Sequence, residues 1–295
     1  MLGQIVHWVV TDIIGKAEFW WNQANDTFDT VDGQAEYFLN NRVFMDKVWG
    51  MFDEDNEWPL IKKDISKFYA YDPTPTDEGD AHFWAYVSQE SCQAVPAAAG
   101  VMTVVSSNNS DTSINAVLKG KVLNVENYEI LTLNGTSTVT GTTSWDASVP
   151  VSINLESTAA GLVTFTRGVT MAQIPAGHLR VLRPRIRLYQ VPGTTGDTIR
   201  YHFYKRSIPL VSDYEIVDLP DIAFKALRYG VEEIAYFLVG KLQASNNAFE
   251  KYRSACDELV SISERDIAGN EIKNVKETVP YAYRLPEIIS GTVTA

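Results

Sequence analysis

Arg183-Pro-Arg-Ile-Arg-Leu-Tyr-Gln-Val191 alternates basic and apolar residues over a strand's length, and Thr198-Ile-Arg-Tyr-His-Phe-Tyr-Lys205 repeats the alternation. A Pro-Gly-Thr-Thr-Gly-Asp turn, Pro192 to Asp197, separates them. Successive side chains of a strand point to opposite faces, so a period of two marks one covered and one open face. Two such runs split by a Gly/Pro/Asp cluster predict a β-hairpin with a longer loop. Beyond Leu219-Pro220-Asp221 the period changes. Leu227, Val231, Ile234, Ala235, Leu238 and Leu242 recur every three or four residues, which predicts a helix. Ser245-Asn-Asn247 interrupts that run, and Ala248, Phe249, Tyr252, Ala255, Cys256, Leu259 and Ile262 form a second stripe that ends by Asp266–Asn270. Helices joined by a short turn share their apolar faces, so the expectation is an αα-hairpin fed by a β-hairpin.

Toward the N-terminus, Leu2, Ile5, Val6, Val9, Val10, Ile13, Ile14 and Ala17 form one helical stripe within residues 2–24, closed by Phe19-Trp20-Trp21. Such a stripe must be covered, by the chain's own helical pair or by another subunit. Thr27–Leu39 reads as an extended segment around Gly33, Val43–Phe52 as a strand, and Asp53–Glu57 as a hydrated acidic turn. Asp72–Asp80, punctuated by two prolines and a glycine, reads as a loop.

The texture shifts between Ser91 and Gly168, a stretch rich in Val, Thr, Ser, Asn and Gly whose only basic residues are Lys119, Lys121 and Arg167. Strand-like runs at Val101–Ser106, Lys119–Val125, Tyr128–Leu133, Ser137–Thr140, Val151–Leu155 and Gly161–Thr166 alternate with turns, which predicts a small β-sandwich. Asn134-Gly135 suits a two-residue hairpin turn, and Arg167–His178 reads as the return linker. The last residues, to Ala295, lack periodicity but carry Tyr281, Tyr283, Leu285, Ile288 and Ile289 among Pro280 and Pro286. Spaced aromatics and prolines suit docking in extended form on another subunit.

Two blocks carry a family likeness. Ile208-Pro-Leu-Val-Ser-Asp213 and Val217-Asp-Leu-Pro-Asp-Ile222, opening the helical stripes, resemble the "P-L-x-x-D" segment and "L-P" helix start of the head-to-tail adaptor proteins of tailed bacteriophages. Thr27-Phe-Asp-Thr-Val-Asp-Gly-Gln-Ala-Glu-Tyr-Phe-Leu39 is similar to that family's "T-x-x-G-Q-x-x-Y-x-L-P" segment, with Asn40 in place of the proline. The matches cover residues 19–71 and 179–265. The resemblance implies an α+β fold: a helical-hairpin adaptor core with an antiparallel β-hairpin and sheet, interrupted by an all-β, immunoglobulin-like sandwich. Residues 1–90 and 169–269 would form the core, 91–168 the inserted domain and 270–295 an extended tail. It further implies a structural virion protein of the neck or tail connector, assembled in the host cytoplasm as a dodecameric ring beneath the portal. Double-stranded DNA would pass through without specific binding. The tail's Tyr281, Tyr283, Leu285 and Ile288 would contact the portal protein, and tail or neck proteins would attach at the other end.

A net charge of −12 argues against non-specific binding to nucleic acid or anionic membranes, and the N-terminal apolar run, broken by His7 and Asp12, reads as neither signal peptide nor membrane span. Cys92 and Cys256 are too few for a disulfide framework and too isolated for zinc; they read as buried apolar residues in a reducing compartment. His7, His82, His178 and His202 are scattered without partners at ligand spacing, and no P-loop, G-x-S-x-G or G-x-G-x-x-G is present. No cofactor, metal site or enzymatic activity is therefore expected. The basic series is more informative. Arg183, Arg185 and Arg187 lie two apart and share a strand face, so carboxylates or phosphates must answer them. Local partners such as Asp197 would make a solvated face; an acidic face of the next protomer would make an intersubunit seam. Two rival functions remain at this level: a carbohydrate- or receptor-binding module using Trp145 as a platform, and a hydrolase built on a carboxylate pair.

Overall fold

The runs Arg183–Tyr189 and Thr198–Lys205 are both strands, but they do not pair with each other. In the computed structural model, which describes residues 2–71, 77–207 and 219–274, the chain opens with α1 (Leu2–Lys16), β1 (Gln23–Asp29), β2 (Glu36–Phe38), β3 (Val43–Asp53), β4 (Trp58–Pro59), β5 (Ile61–Lys62), α2 (Ile65–Tyr71), β6 (Glu78–Gly79) and β7 (Phe83–Glu90). Seven strands follow: β8 (Gly100–Ser106), β9 (Asn115–Val122), β10 (Val125–Thr132), β11 (Val139–Trp145), β12 (Ser152–Leu155), β13 (Val163–Arg167) and β14 (Val169–Ile174). The chain then runs through β15 (Arg183–Tyr189), β16 (Val191–Pro192), β17 (Thr198–Lys205), α3 (Phe224–Leu238) and α4 (Leu242–Asn274).

Among the described residues strand makes up 39% and helix 26%, which overturns the α+β fold built on a helical-hairpin adaptor core. The body is instead a pair of four-stranded sheets, β1-β17-β3-β4 and β2-β15-β7-β5. Ile186 and Leu188 from one sheet and Ile199, Tyr201 and Phe203 from the other enter a single core with Leu39, Val48, Met51 and Trp84. The expected hairpin fails for a physical reason. Alternation says which face of a strand is covered and nothing about its neighbour. The turn after β15 carries the chain across to the facing sheet: β16 pairs in parallel with β6, and Gly196 N and Asp197 N donate to Thr30 O and Thr30 Oγ1. Nor is the acidic turn simply hydrated. Asp53 is buried and accepts from Asp55 N, Asn56 N and Asn56 Nδ2 at 3.0–3.1 Å, while Glu54 pairs with Arg200 at 2.6 Å.

Strands β8–β14 form a sandwich inserted between β7 and β15, which are themselves antiparallel neighbours: Glu90 stands opposite Arg183. Its sheets run β10-β9-β12 and β11-β8-β13-β14. In the immunoglobulin arrangement the second and third strands lie in different sheets; here they pair, so the immunoglobulin-like topology is also corrected. The expected return linker contains β14, which closes the sandwich beyond residue 168. The two-residue hairpin turn is at Leu123-Asn124, with φ of 52° and 64°, and not at Asn134-Gly135, whose flanking strands lie in different sheets. A type I′ turn needs positive φ at both central residues. Asp146 makes that conformation tenable for a leucine: its carboxylate accepts from Leu123 N at 2.8 Å and Asn124 N at 2.7 Å.

A second carboxylate binds the sandwich's loops. Asp111 is buried and accepts from Ser106 Oγ, Ala160 N and Gly161 N at 2.5, 2.9 and 3.0 Å. Burial alone would raise its pKa, but these hydrogen bonds outweigh it and hold the carboxyl below the usual value. A depressed folded-state pKa stabilises the fold above the unfolded-state value, and that contribution is lost as pH falls through the folded value. Thermal melts followed from about pH 5 down to about pH 2.5 should show the sandwich weakening on acidification. Asp111→Asn should melt lower at neutral pH and lose part of that acid dependence; an unchanged acid limb would remove Asp111 from the account.

The helices form a satellite cluster. Val9, Val10, Ile13 and Ile14 of α1 pack with Ala226 and Leu227 of α3 and with Tyr252, Ala255, Cys256 and Leu259 of α4. Gly230 permits that approach: a β-carbon there would sit 2.5 Å from Val9 Cγ1 and 3.1 Å from the Tyr252 ring. The break between α3 and α4 falls at Gly240 (φ 74°), and Ser245–Asn247 lie inside α4. Lys241 N donates to Tyr236 O and Gly240 N to Phe237 O, the paired bonds that satisfy the last carbonyls of a helix ended by a left-handed glycine. Helix α4 runs on to Asn274, into the stretch assigned to an extended tail.

Candidate functional site

Arg183, Arg185 and Arg187 do share one face of β15, opposite the buried Pro184, Ile186 and Leu188. The neighbouring strands supply counter-charges within the same chain. Arg185 lies 3.6 Å from Glu36 on β2 and 3.9 Å from Glu90 on β7, and Arg187 lies 3.7 Å from Glu36. Arg187 also donates to Tyr69 Oη at 3.2 Å and sits over that ring. Both guanidinium side chains are mostly covered, at 14% and 15% exposure, so this is a local ion network and not the solvated face first considered. Asp197, the local partner anticipated from sequence, accepts from Thr194 instead. Arg183 is the member of the stripe without an ion pair among the described residues.

The more conspicuous surface lies at the far end of the helices. Phe237, Leu238, Val239 and Leu242 flank the Gly240 turn and are 60%, 56%, 67% and 61% exposed. Large apolar side chains scattered singly need no explanation, whereas several at one tip mark a contact surface. The sequence carried this signal: Phe237-Leu238-Val239 is an unbroken apolar run at a helix end, where a stripe facing one way supplies only one or two such residues. Trp8 and Trp20 add exposed aromatics to the same helical part of the chain.

Other candidates fare differently. Trp145, the proposed sugar platform, is wholly buried in the sandwich core. Cys92 and Cys256 are free and buried; burial pushes the Cys92 thiol up to about 11 and raises that of Cys256, so neither is a ready thiolate. His7 bonds Ser207 Oγ through Nδ1 at 3.0 Å, His178 Nδ1 lies 3.1 Å from Ala176 O, and His82 and His202 lie against Trp58 and Trp49. Among the described residues no group of three His, Cys, Asp or Glu is placed to hold a metal ion, and no helix is long and apolar enough to cross a membrane. Four clefts in the helical part and its junction with the sheets carry at most one carboxylate each: Asp257, Asp12, Glu18 or none. Tyr281, Tyr283, Leu285 and Ile288, expected to contact a portal, and the Ile208–Asp213 motif lie outside the described residues. No protein-family model matches the chain, and a search of curated proteins found no match.

Proposed function

We propose that this chain is a structural subunit that tiles around an axis, the ring-forming adaptor at the head-to-tail junction of a tailed bacteriophage. The exposed apolar tip at Phe237–Leu242 carries this reading. An uncovered cluster of that size at the end of a packed helical unit is suited to a neighbouring subunit and unsuited to solvent. The motifs at 27–39 and 208–222 point to the adaptor family, and the fold's departure from a helical core leaves the association surface as the stronger support. In this reading the ring sits in the virion beneath the portal, DNA passes through its centre, and tail or neck proteins bind its other end. The inserted sandwich hangs from the ends of β7 and β15, the two central strands of their sheet, so it decorates the ring without belonging to its seam.

Electron microscopy of the purified chain, alone and with portal rings, tests this directly. Rings or portal-bound collars are the expected images; monodisperse single copies under every condition would end the proposal. The C-terminal residues supply a further check. Truncation after Asn274, the last residue of α4, should leave a soluble protein that no longer co-sediments with portal rings. Undiminished co-sedimentation would take the portal contact away from residues 275–295.

A further inference from the structure

Where α1, the sheet edges and the return from the sandwich meet, the surface folds into a cleft of about 380 Å³. Its polar lining comes from five separate segments: His7 and Thr11 on α1, Asn41 before β3, Gln89 on β7, His178 and Arg180 on the return segment, and Arg206 and Ser207 after β17. Among the described residues no carboxylate lines it. Burial lowers the pKa of Arg206 and of Arg183, and the positive charge of Arg183 lowers that of Arg206 further. No ion pair within the described residues reaches Arg180, Arg183 or Arg206, in contrast to the answered Arg185, Arg187 and Arg200 of the same body. Partly desolvated guanidiniums such as those of Arg183 and Arg206 are costly unless an anion compensates them. The other polar groups of the lining are amides, hydroxyls and imidazoles, which can donate hydrogen bonds, and Phe44, Val181 and Leu182 complete it with apolar surface.

We propose that this cleft is an oxyanion-binding site, built to hold a phosphate or carboxylate group between Arg180 and Arg206. The planar fork of a guanidinium matches both anions in bidentate geometry, and Asn41 and Gln89 add amides to the same lining. The site is independent of the apolar tip and of the tiling role. A negatively charged protein with a hollow that carries two arginines and, among the described residues, no carboxylate has a surface that recruits anions locally while its overall field repels them.

Isothermal titration of the full chain with inorganic phosphate, and separately with citrate, tests the proposal. One anion should bind per chain, and the tighter of the two identifies the source as phosphate or carboxylate. Arg180→Gln and Arg206→Gln should each weaken binding by about tenfold or more, the loss expected for one charge-assisted hydrogen bond. Arg180 is exposed, so its replacement spares the fold even where that of Arg206 does not. Absence of saturable binding, or affinity unchanged from the parent in both variants, overturns the site. A third variant, Asp213→Asn/Glu215→Gln/Asp218→Asn, guards against a carboxylate of this chain as the occupant. Binding that appears only in that variant also overturns the proposal.

Discussion

Trp145→Ala should lower the melting temperature of the inserted sandwich by roughly 15–30 °C while the remainder of the chain keeps its secondary structure. The indole is fully buried among Met102, Leu118, Ile153 and Phe165. It lies so close to β9 that a β-carbon on Gly120 would sit 3.0 Å from the ring. Truncating a buried Trp costs about 3–5 kcal/mol, because the transfer term and the cavity term add. In a unit the size of this sandwich each kcal/mol is worth about 4–8 °C. Trp145→Phe separates volume from polarity. It also removes an indole Nε1 that is buried without a hydrogen-bond partner, so its loss should stay below about 1.5 kcal/mol. Calorimetry on the two variants decides the matter. A variant that melts like the parent but loses glycan binding would return Trp145 to a surface role and revive the carbohydrate-binding reading.

How far the fold was legible can be seen at single residues. Inward positions were readable wherever one period dominated: Ile186 and Leu188, Ile199 and Tyr201, and Val9 and Ile13 are all buried. Partnership was not. The runs that look like two halves of one hairpin sit in facing sheets, because a six-residue turn can cross a core as easily as reverse along an edge. The glycine signals mislead for a related reason. Asn134-Gly135 has the better turn sequence, yet Leu123-Asn124 makes the hairpin because Asp146, distant in sequence, satisfies its two amides. At the other turn Gly240 sits among apolar residues and was passed over for the polar Ser245–Asn247, although a left-handed glycine ends a helix more decisively than a polar run. The basic stripe shows the same limit. Strand geometry places Arg183, Arg185 and Arg187 on one face, but only the sheet order reveals that Glu36 and Glu90 pair with two of them and leave Arg183 without an ion pair among the described residues. The pairings that decide the candidate sites are all long-range, and no local pattern encodes them.

For the proposed ring-forming subunit, Leu238→Glu/Leu242→Glu should leave a monomer across the accessible concentration range. Complete burial of a leucine is worth about 1.5–3 kcal/mol, and these two side chains are little more than half exposed, so each has roughly 1–2 kcal/mol to gain at an interface. Replacing both also places carboxylates where a partner would have to desolvate them, which costs several kcal/mol more. The combined loss corresponds to a weakening of at least about a thousandfold. Stability within the monomer should barely change, since neither residue belongs to the buried helical cluster of Val10, Ile13, Leu227 and Leu259. Leu123→Glu is the matched control: Leu123 is 85% exposed at the tip of the sandwich hairpin, remote from the helices in the fold's topology. Sedimentation velocity should therefore separate the variants, with Leu123→Glu assembling like the parent and the double variant remaining a single copy. If both assemble alike, the apolar tip is not the seam. If Leu123→Glu alone fails, the inserted sandwich holds the subunits together, and the helices merely pack against the chain that carries them.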